Sequence, residues 1–427
     1  MLQLDISAAM GKVITPNRGI PEQEFSSILT SLRRYIDDFV KERKKGEHVW
    51  AEDPSNEDTI AKVKEIAAFA KEKKITTIVW IGIGGSGLGP KVIREVFESP
   101  ETPEFILLDT IDPYMLKMYD NIIDWKNALV VVVSKSGETL ETMSVFFHCW
   151  KRLKEAHGAQ AGEFAVGVTD PKEGNLRSLC LEKGIRMVPI PSGVGGRYSI
   201  FTPVGLLPLA LLSGDVDQFV QGAKDLDVSC SNNIPDENPA AMLAAAQFLL
   251  DTKRDCKVRV IMPYSQRLES VARWNQQLIA ESLGKVETSN PIPLAAIGTQ
   301  DQHSLLQQWM AGPRKQWHIF IREIEKESFT VPDEVDDSLN YIAGKEYGEL
   351  LDACYKGTST ALTQAKRPHV TISLERLDAY HLGQLFFLFL VEVVLLGKLY
   401  RIDPYGQPAV ETGKKITKEI LTGERNE

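Results

Sequence analysis

The chain has 427 residues, a length that predicts two or three domains rather than one. Its hydrophobic content of 43% and charged content of 25% are ordinary for a soluble globular enzyme, and its formal net charge of −9 argues against a nucleic-acid partner. The five cysteines are scattered, with no CxxC pair, which argues against a disulfide framework or a structural zinc site. This cysteine usage predicts a reducing compartment, and we expect the cytoplasm.

The first 74 residues are predicted to form an N-terminal helical segment. Apolar residues recur at helical spacing over residues 25–43, and residues 59–74 form a second amphipathic pattern. No basic segment followed by an apolar one is present at the start, so no secretory signal is expected. The most apolar stretch, residues 385–397, is too short to cross a bilayer and contains Glu392. We therefore expect a buried core helix there and no membrane partner.

Strands alternate with helices through most of the remaining chain. The alternation covers residues 77–190 and starts again near residue 257, which predicts parallel sheets joined by right-handed crossovers. We expect an α/β protein with two open, mostly parallel α/β/α sandwich domains. Their predicted bounds are residues 75–205 and 206–398, and a C-terminal tail follows at residues 399–427.

The stretch ALVVVVSKSGETLET at residues 128–142 has the clearest pattern in the chain. Its apolar run predicts a strand that is buried on both faces. Hydroxyls, one ammonium and Gly137 follow in a predicted turn, and helical spacing of apolar residues begins after it. A helix start offers free N–H groups and the positive end of its dipole, which suits a phosphate group. A Ser/Thr-rich helix cap without a ligand explains the same residues.

A glycine-rich stretch, GIGGSGLGP at residues 82–90, begins at the end of a strand predicted over residues 77–83. Residues 84–90 form a predicted turn before a helix at residues 91–97. Glycines at such a turn let a ligand approach the backbone, and Ser86 adds a hydroxyl. The stretch contains GxGxxG, but the acidic residue of a dinucleotide site, expected about twenty positions later, is poorly placed. A nicotinamide-dependent dehydrogenase is therefore an alternative that this turn alone supports.

Four further residues have the chemistry of an active site. Arg197 follows two glycines in a loop, where its planar charge suits a phosphate or a developing oxyanion. Glu281 lies near the end of a predicted helix and suits a general base. His303 lies at the start of a helix predicted at residues 302–312, and Lys414 lies in the tail. A surface arginine, a solvated glutamate and a solvated lysine are the plain alternatives, and the seven histidines form no metal cluster.

Together these stretches resemble the phosphoglucose isomerase family, whose members have paired sugar-isomerase-type α/β domains. The resemblance covers residues 75–415, and six separated segments agree with the family in order. They are GIGGSGLGP at 82–90, SKSGETLET at 134–142, GGRYS at 195–199, AESLGK at 280–285, GTQDQH at 298–303 and GQPAVETGK at 406–414. Agreement of six ordered segments makes unrelated structural roles a poor explanation for them.

The resemblance implies an isomerase that interconverts glucose 6-phosphate and fructose 6-phosphate, in glycolysis and gluconeogenesis, through ring opening and a cis-enediolate. Glu281 would move the proton between C1 and C2, and Arg197 would stabilise the enediolate. His303 and Lys414 would act on the ring oxygen and hydroxyl. The residues implied to hold the sugar phosphate are Gly85, Ser86, Ser134, Lys135, Ser136, Thr139 and Gln407. No cofactor and no metal are implied. The family's histidine reaches the site from the neighbouring subunit, which implies a homodimer with shared active sites.

Several positions depart from the family's pattern. Leu283 stands where Asn is frequent, Gly406 where an acidic or Asn-type residue is frequent, and Ala409 where Gly is frequent. Every implied catalytic side chain is still in place, but substrate preference is left open, so an isomerase that also accepts mannose 6-phosphate is an alternative. A non-catalytic sugar-phosphate-binding regulator is another, although a regulator would not need the implied base, arginine and histidine together.

Overall fold

The computed structural model describes residues 1–287 and 291–424. Within these ranges the chain forms ten strands, which make two five-stranded sheets. In chain order the strands are β1 (Gln3–Asp5), β2 (Thr77–Ile81), β3 (Glu104–Leu108), β4 (Ala128–Val133), β5 (Ala165–Thr169), β6 (Arg186–Pro189), β7 (Val258–Pro263), β8 (Ile292–Ala295), β9 (Gln316–Glu323) and β10 (His369–Leu374).

Helices connect the strands and cover the sheets. The described α-helices, again in chain order, are α1 (Glu22–Lys44), α2 (Glu57–Glu72), α3 (Gly85–Phe97), α4 (Pro113–Ile122), α5 (Leu140–His157), α6 (Asn175–Lys183), α7 (Pro203–Leu211), α8 (Val216–Cys230), α9 (Pro239–Arg254), α10 (Glu269–Leu283), α11 (Leu306–Ala311), α12 (Tyr347–Gln364), α13 (Ala379–Tyr400) and α14 (Glu411–Thr422). Short 3-10 helices fill several connections, including Val49–Ala51, Gly196–Phe201 and Gln300–Gln302.

Both sheets are parallel apart from one edge strand. The first sheet has the order β3-β2-β4-β5-β6, and the second has the order β1-β10-β9-β7-β8. Only β1 is antiparallel to its neighbour among the described strands, and its neighbour is β10. The predicted α/β fold of two open, mostly parallel sheets is therefore confirmed.

Successive side chains of a buried strand point to opposite faces of the sheet, so they pack against different sets of helices. In β2, Ile78 and Trp80 belong to one hydrophobic core, while Val79 and Ile81 belong to another. The first of these cores is continuous with the inner face of the second sheet and contains α1, α9 and α13. The outer faces have separate cores, under α4, α5 and α6 for the first sheet and under α11 and α12 for the second. One shared layer of helices therefore joins the two sheets.

The apolar helix α13 lies in this shared layer. By length and hydropathy it is the one helix of residues 1–287 and 291–424 that could cross a membrane, but 89% of its most apolar window is buried inside the protein. Its Glu392 is fully buried and accepts hydrogen bonds of 2.5 and 2.9 Å from Arg259 of β7. This bidentate ion pair explains how a core helix can contain a glutamate. The predicted buried core helix is confirmed.

Two short strands correct the sequence prediction. The N-terminal segment over residues 1–74 is not wholly helical, because β1 extends the second sheet by pairing with β10. A loop is predicted over residues 284–293, whereas β8 begins at Ile292 and pairs with β7; residues 288–290 of that loop lie outside the described residues. Strands of three or four residues are too short to show a period-two pattern. The domain boundaries stay a prediction.

Residues 85–90 of the glycine-rich stretch also differ from the prediction, because they are helical and do not form a turn. Helix α3 begins at Gly85 and includes Pro90. Proline has no N–H for the carbonyl four residues earlier, which is that of Ser86. The indole Nε1 of Trp80 donates to this carbonyl at 2.9 Å instead. The acceptor that Pro90 would leave free is therefore satisfied from the neighbouring strand.

Each sheet has a switch point, where the chain has gone to one side of a central strand and then crosses to the other side. These points lie between β2 and β4 and between β7 and β9. Ligands of open α/β sheets bind beyond the strand ends at such points. The hydroxyl-rich loop after Val133 lies at the first point. At the second, the Glu323 carboxylate accepts hydrogen bonds from Ser265 at 3.0 Å and from Arg267 at 3.3 Å.

Candidate active site

Arg197 is the centre of a hydrogen-bonded cluster that joins three parts of the chain. It lies in the 3-10 helix Gly196–Phe201, after β6, and is 3% exposed. Five acceptors receive its hydrogen bonds: Ser282 Oγ at 2.7 Å, Glu281 Oε2 at 3.1 Å, Gln407 Oε1 at 2.6 Å, and the carbonyls of Pro404 at 2.7 Å and Gly406 at 3.1 Å. A planar guanidinium with five donors can fix acceptors from separate segments in one geometry.

Glu281 is held at both carboxylate oxygens but is still accessible. It lies in the last turn of α10, and 29% of its side chain is exposed. Oε2 accepts from Arg197, and Oε1 accepts from Gln277 Nε2 at 2.9 Å. A negative charge is unfavourable at the C-terminal end of a helix dipole, and the adjacent Arg197 offsets this effect. An oriented, accessible carboxylate has the geometry of a general base.

The start of α3 supports the loop that carries Arg197. A Cβ on Gly85 would lie 2.2 Å from the Gly196 carbonyl carbon, so only glycine permits this approach of two backbones. A Cβ on Gly84 would lie 3.2 Å from Gln277 Nε2. Gly85 thus holds the Arg197 loop in place, and its predicted contact with a sugar phosphate stays a prediction. The Ser86 side chain is half-buried, and its hydroxyl has no hydrogen-bond partner among the residues that the structure describes.

The hydroxyl-rich loop, residues 134–139, connects β4 to α5. Ser134 Oγ accepts from the Gly137 N–H at 3.0 Å and lies 3.3 Å from Thr139 Oγ1. Ser136 Oγ accepts from the next N–H but one, that of Glu138, at 3.2 Å. Gly137 has a φ of 70°, and a Cβ there would lie 2.0 Å from the Leu176 nitrogen. The loop is therefore a rigid turn whose hydroxyls lie at the N-terminal end of α5.

Lys135 links this loop to the Arg197 loop. Its Nζ donates to the Val194 carbonyl at 3.2 Å, three residues before Arg197. Its own carbonyl accepts from Thr169 Oγ1 at 3.2 Å. The ammonium thus lies between the hydroxyl-rich loop and the Arg197 cluster. A phosphate bound at the loop would lie at the same edge of the first sheet as Arg197, the edge formed by the C-terminal ends of its parallel strands.

The C-terminal tail reaches back to the cluster after α13. Besides the Gln407 side chain, the tail contributes two carbonyls to Arg197. Lys285, four residues after Glu281, donates to the carbonyl of Asp403 at 2.6 Å and to the carbonyl of Tyr405. Partial burial and the nearby Arg197 charge lower the pKa of Lys285. Two cations, Arg197 and Lys285, therefore hold the tail next to Glu281.

The structure does not bring His303 or Lys414 to this cluster within one chain. His303 lies in a turn between Gln300–Gln302 and α11, which begins at Leu306, so the helix predicted from residue 302 starts later. Its exposed imidazole makes no hydrogen bond or ion pair with a described residue. Lys414 lies on α14, where it donates to Glu411 at 2.7 Å. No described residue of α14 is buried. The predicted roles of both residues stay predictions.

Three residues of the cluster were not among those predicted. Gln277 precedes Glu281 by one helical turn, and that i,i+4 spacing could have indicated it. Ser282 and Lys285 are in the matched segment AESLGK, but the sequence gives no sign that they bind Arg197 and the tail. No group of three or more His, Cys, Asp or Glu side chains in the described part of the chain is arranged to hold a metal ion.

Fold and cluster together define a sugar-isomerase-type α/β protein with a carboxylate held against a buried guanidinium. A family profile described as "Phosphoglucose isomerase" matches residues 61–427. A probable glucose-6-phosphate isomerase of Haloarcula marismortui is 32% identical over 423 residues, which are 99% of this chain and 95% of the relative. The chain therefore belongs to the phosphoglucose isomerase family, and it is an isomerase.

Two solved structures agree with this assignment. A hypothetical protein of Thermus thermophilus superimposes with a TM-score of 0.87 at 30% identity, covering 99% of this chain and all of the other. A glucose-6-phosphate isomerase of Chlamydia trachomatis superimposes with a TM-score of 0.75 at 23% identity, covering 86% of this chain and 73% of the other. The second comparison bears on the fold alone, and it supports the predicted sugar-isomerase-type architecture.

Proposed function

We propose that this chain interconverts glucose 6-phosphate and fructose 6-phosphate, a step of glycolysis and gluconeogenesis. The observation that carries the proposal is the 3.1 Å contact between the partly exposed Glu281 carboxylate and the buried Arg197 guanidinium. A base beside a fixed cation is what proton abstraction next to a carbonyl requires, because the base takes the proton and the cation stabilises the resulting oxyanion. Family membership identifies the class of substrate as a sugar phosphate.

The proposed reaction moves one proton between two carbons. After ring opening, the Glu281 carboxylate removes the C2 proton of the aldose, and the electron pair moves to give a cis-enediolate. The Nη1 atom of Arg197 faces both Glu281 and Gln407, so an enediolate oxygen can replace one of these acceptors there. Glu281 then returns the proton to C1 while the hydroxyl proton passes from O2 to O1. The atoms balance without an oxidant or reductant.

The phosphate end is proposed to bind the hydroxyl-rich loop. Ser134, Ser136 and Thr139 have hydroxyls at the start of α5, and Lys135 adds a positive charge. A helix start with free N–H groups favours an anion. Binding energy from the phosphate is remote from C1 and C2, so it can position these carbons against Glu281.

The direct test is an isomerisation assay in deuterated water with a chelator present. We expect fructose 6-phosphate to form from glucose 6-phosphate with deuterium at C1 of the product. The reason is that the proton taken from C2 can exchange with solvent while the base holds it at the enediolate stage. No nicotinamide is added, so a dehydrogenase would give no product. A protein that binds glucose 6-phosphate without turnover would instead be the regulator. Parallel reactions with mannose 6-phosphate decide whether that epimer is also a substrate.

We also propose that the active enzyme is a cytoplasmic homodimer in which His303 serves the partner's site. The position supports this, because the His303 imidazole is exposed and makes no hydrogen bond or ion pair with the described part of its own chain. Glu281→Gln and His303→Ala dimers should each be inactive. Mixed by co-expression, they should recover up to about a quarter of wild-type activity, because half of the dimers are mixed and each has one intact site. No recovery in verified mixed dimers would place both residues in one chain's site.

A further inference from the structure

An N-terminal segment holds the tail that binds Arg197. The Tyr405 ring packs on buried Tyr198 with 5.0 Å between centroids, and Tyr198 packs on buried Trp50 at 5.9 Å. Trp50 Nε1 donates to the Tyr405 phenol oxygen at 2.9 Å. His48 Nδ1 also contacts that oxygen. Two residues from the connection between α1 and α2 therefore hold one hydroxyl of the tail, more than 350 positions away in sequence.

His48 connects the Tyr405 hydroxyl to the carboxylate of Glu42. His48 Nε2 lies 2.8 Å from Glu42 Oε2, so this nitrogen carries the proton and donates. In the neutral imidazole Nδ1 is then an acceptor, and Tyr405 donates to it while accepting from Trp50. Lys398 of α13 donates to the other Glu42 oxygen. Burial lowers the pKa of His48, with Lys398 acting in the same direction and Glu42 and Glu47 opposing it. Burial therefore favours the neutral form of the imidazole.

Tyr405 lies between the groups that bind the arginine. The carbonyls before and after it, those of Pro404 and Gly406, both accept from Arg197 Nη2. Gln407, two residues later, accepts from Nη1 at 2.6 Å, on the side of Arg197 that meets Glu281. A shift of the Tyr405 ring would move all three acceptors, because they belong to one short stretch of backbone. The orientation of Arg197 therefore depends on where Tyr405 is held.

We propose that Trp50 and His48, through the Tyr405 hydroxyl, are positioning residues for the isomerase reaction: they fix the 404–407 backbone and so the orientation of Arg197 against Glu281. This inference rests on the proposed function of those two residues. Trp50 and His48 precede residue 61, where the family match begins, whereas Tyr405 lies within it. The N-terminal segment is thus part of the active-site support and more than a cover for the core.

The test compares Tyr405→Phe and Trp50→Phe with wild type in the isomerisation assay. Each variant keeps an aromatic ring. Tyr405→Phe removes the hydroxyl and so both of its contacts, and Trp50→Phe removes one of the two. We expect kcat to fall roughly fivefold to tenfold in each, from loss of one hydrogen bond to the tail in Trp50→Phe and of two in Tyr405→Phe. KM for the sugar phosphate should change less than twofold, because the phosphate is held by a separate loop. The double variant should be no worse than the poorer single variant, since both act through one hydroxyl.

Tyr400→Phe is the matched control. Tyr400 is on the last turn of α13, and its hydroxyl donates to Asp251 at 2.7 Å and not to any residue of the 404–407 stretch. The Tyr400→Phe variant should therefore lose stability but keep wild-type kcat. Wild-type kcat in folded Tyr405→Phe and Trp50→Phe would overturn the positioning role even if the isomerase activity is real. If wild type does not isomerise the substrate, amide hydrogen exchange over residues 405–407 is the second readout, and unchanged protection in Tyr405→Phe would also overturn the positioning role.

Discussion

Replacing Glu281 by glutamine should abolish most of the turnover while substrate binding persists. The amide keeps the size of the side chain and can still accept from Arg197, but it cannot take the C2 proton. We expect kcat to fall by about a thousandfold or more, in line with the loss of a positioned general base. KM should stay within a fewfold of wild type, because the phosphate contacts are untouched. Steady-state kinetics measure kcat and KM, and deuterium exchange at C2 measures the loss of proton removal.

The control for this substitution is Glu155→Gln. Glu155 is also a helical glutamate paired with an arginine, Arg152 at 3.0 Å, but it lies on the exposed side of α5. It should keep full activity. A Glu281→Gln enzyme with near wild-type turnover would eliminate Glu281 as the base.

Ser134→Ala combined with Thr139→Ala should show the reverse pattern, a raised KM with kcat largely kept.

Replacing Arg197 by lysine should cost almost as much, although the charge is kept. A lysine has three donors without the planar fork, so it cannot satisfy all five acceptors that Arg197 holds. We expect kcat to fall by about a hundredfold to a thousandfold, as is usual when one preorganised oxyanion donor is removed. The melting temperature should also fall, because buried acceptors in the tail lose their donor.

Arg259→Lys separates these two effects. Arg259 is likewise buried, but its hydrogen bonds go to Gln247 and Glu392 in the core and to none of the acceptors that Arg197 holds. This variant should lose stability through an imperfectly paired buried charge and still turn over normally at a temperature where it is folded. Equal kcat losses in Arg197→Lys and Arg259→Lys would mean that the Arg197 effect is one of folding and not of transition-state stabilisation.

The parts of the fold that the sequence predicts well are those with strong local patterns. Residues 129–133 can hardly be other than a buried strand, and β4 contains all of them. The prediction for the start of α3 was wrong because glycine and proline have poor helix propensity, and the compensating indole of Trp80 comes from another strand. The strands β1 and β8 were missed because pairing with distant strands, and no local pattern, makes them extended.

In the candidate site, too, local features could be predicted from the sequence and contacts between distant segments could not. Types of residue and their segments were predictable, because a base, a cation and an anion loop each have recognisable chemistry. Their assembly was not, since Arg197 and Glu281 are 84 positions apart and Gln407 is 210 positions from Arg197. The support from Trp50 and His48 could not be inferred, because an indole and an imidazole in a polar connection have many ordinary roles. Only the folded chain brings them to Tyr405.

The carboxylate of Glu323 affects how many ligands one chain can bind. The two sheets have equivalent crevices, which would suggest two equivalents of sugar phosphate at saturation. Glu323, however, is a resident anion in the second crevice, where it already uses the donors Ser265 and Arg267. An incoming dianion would meet like charge and occupied donors there. We therefore expect one equivalent of sugar phosphate to bind each chain, with the second half of the molecule contributing the proposed base instead of a second anchor.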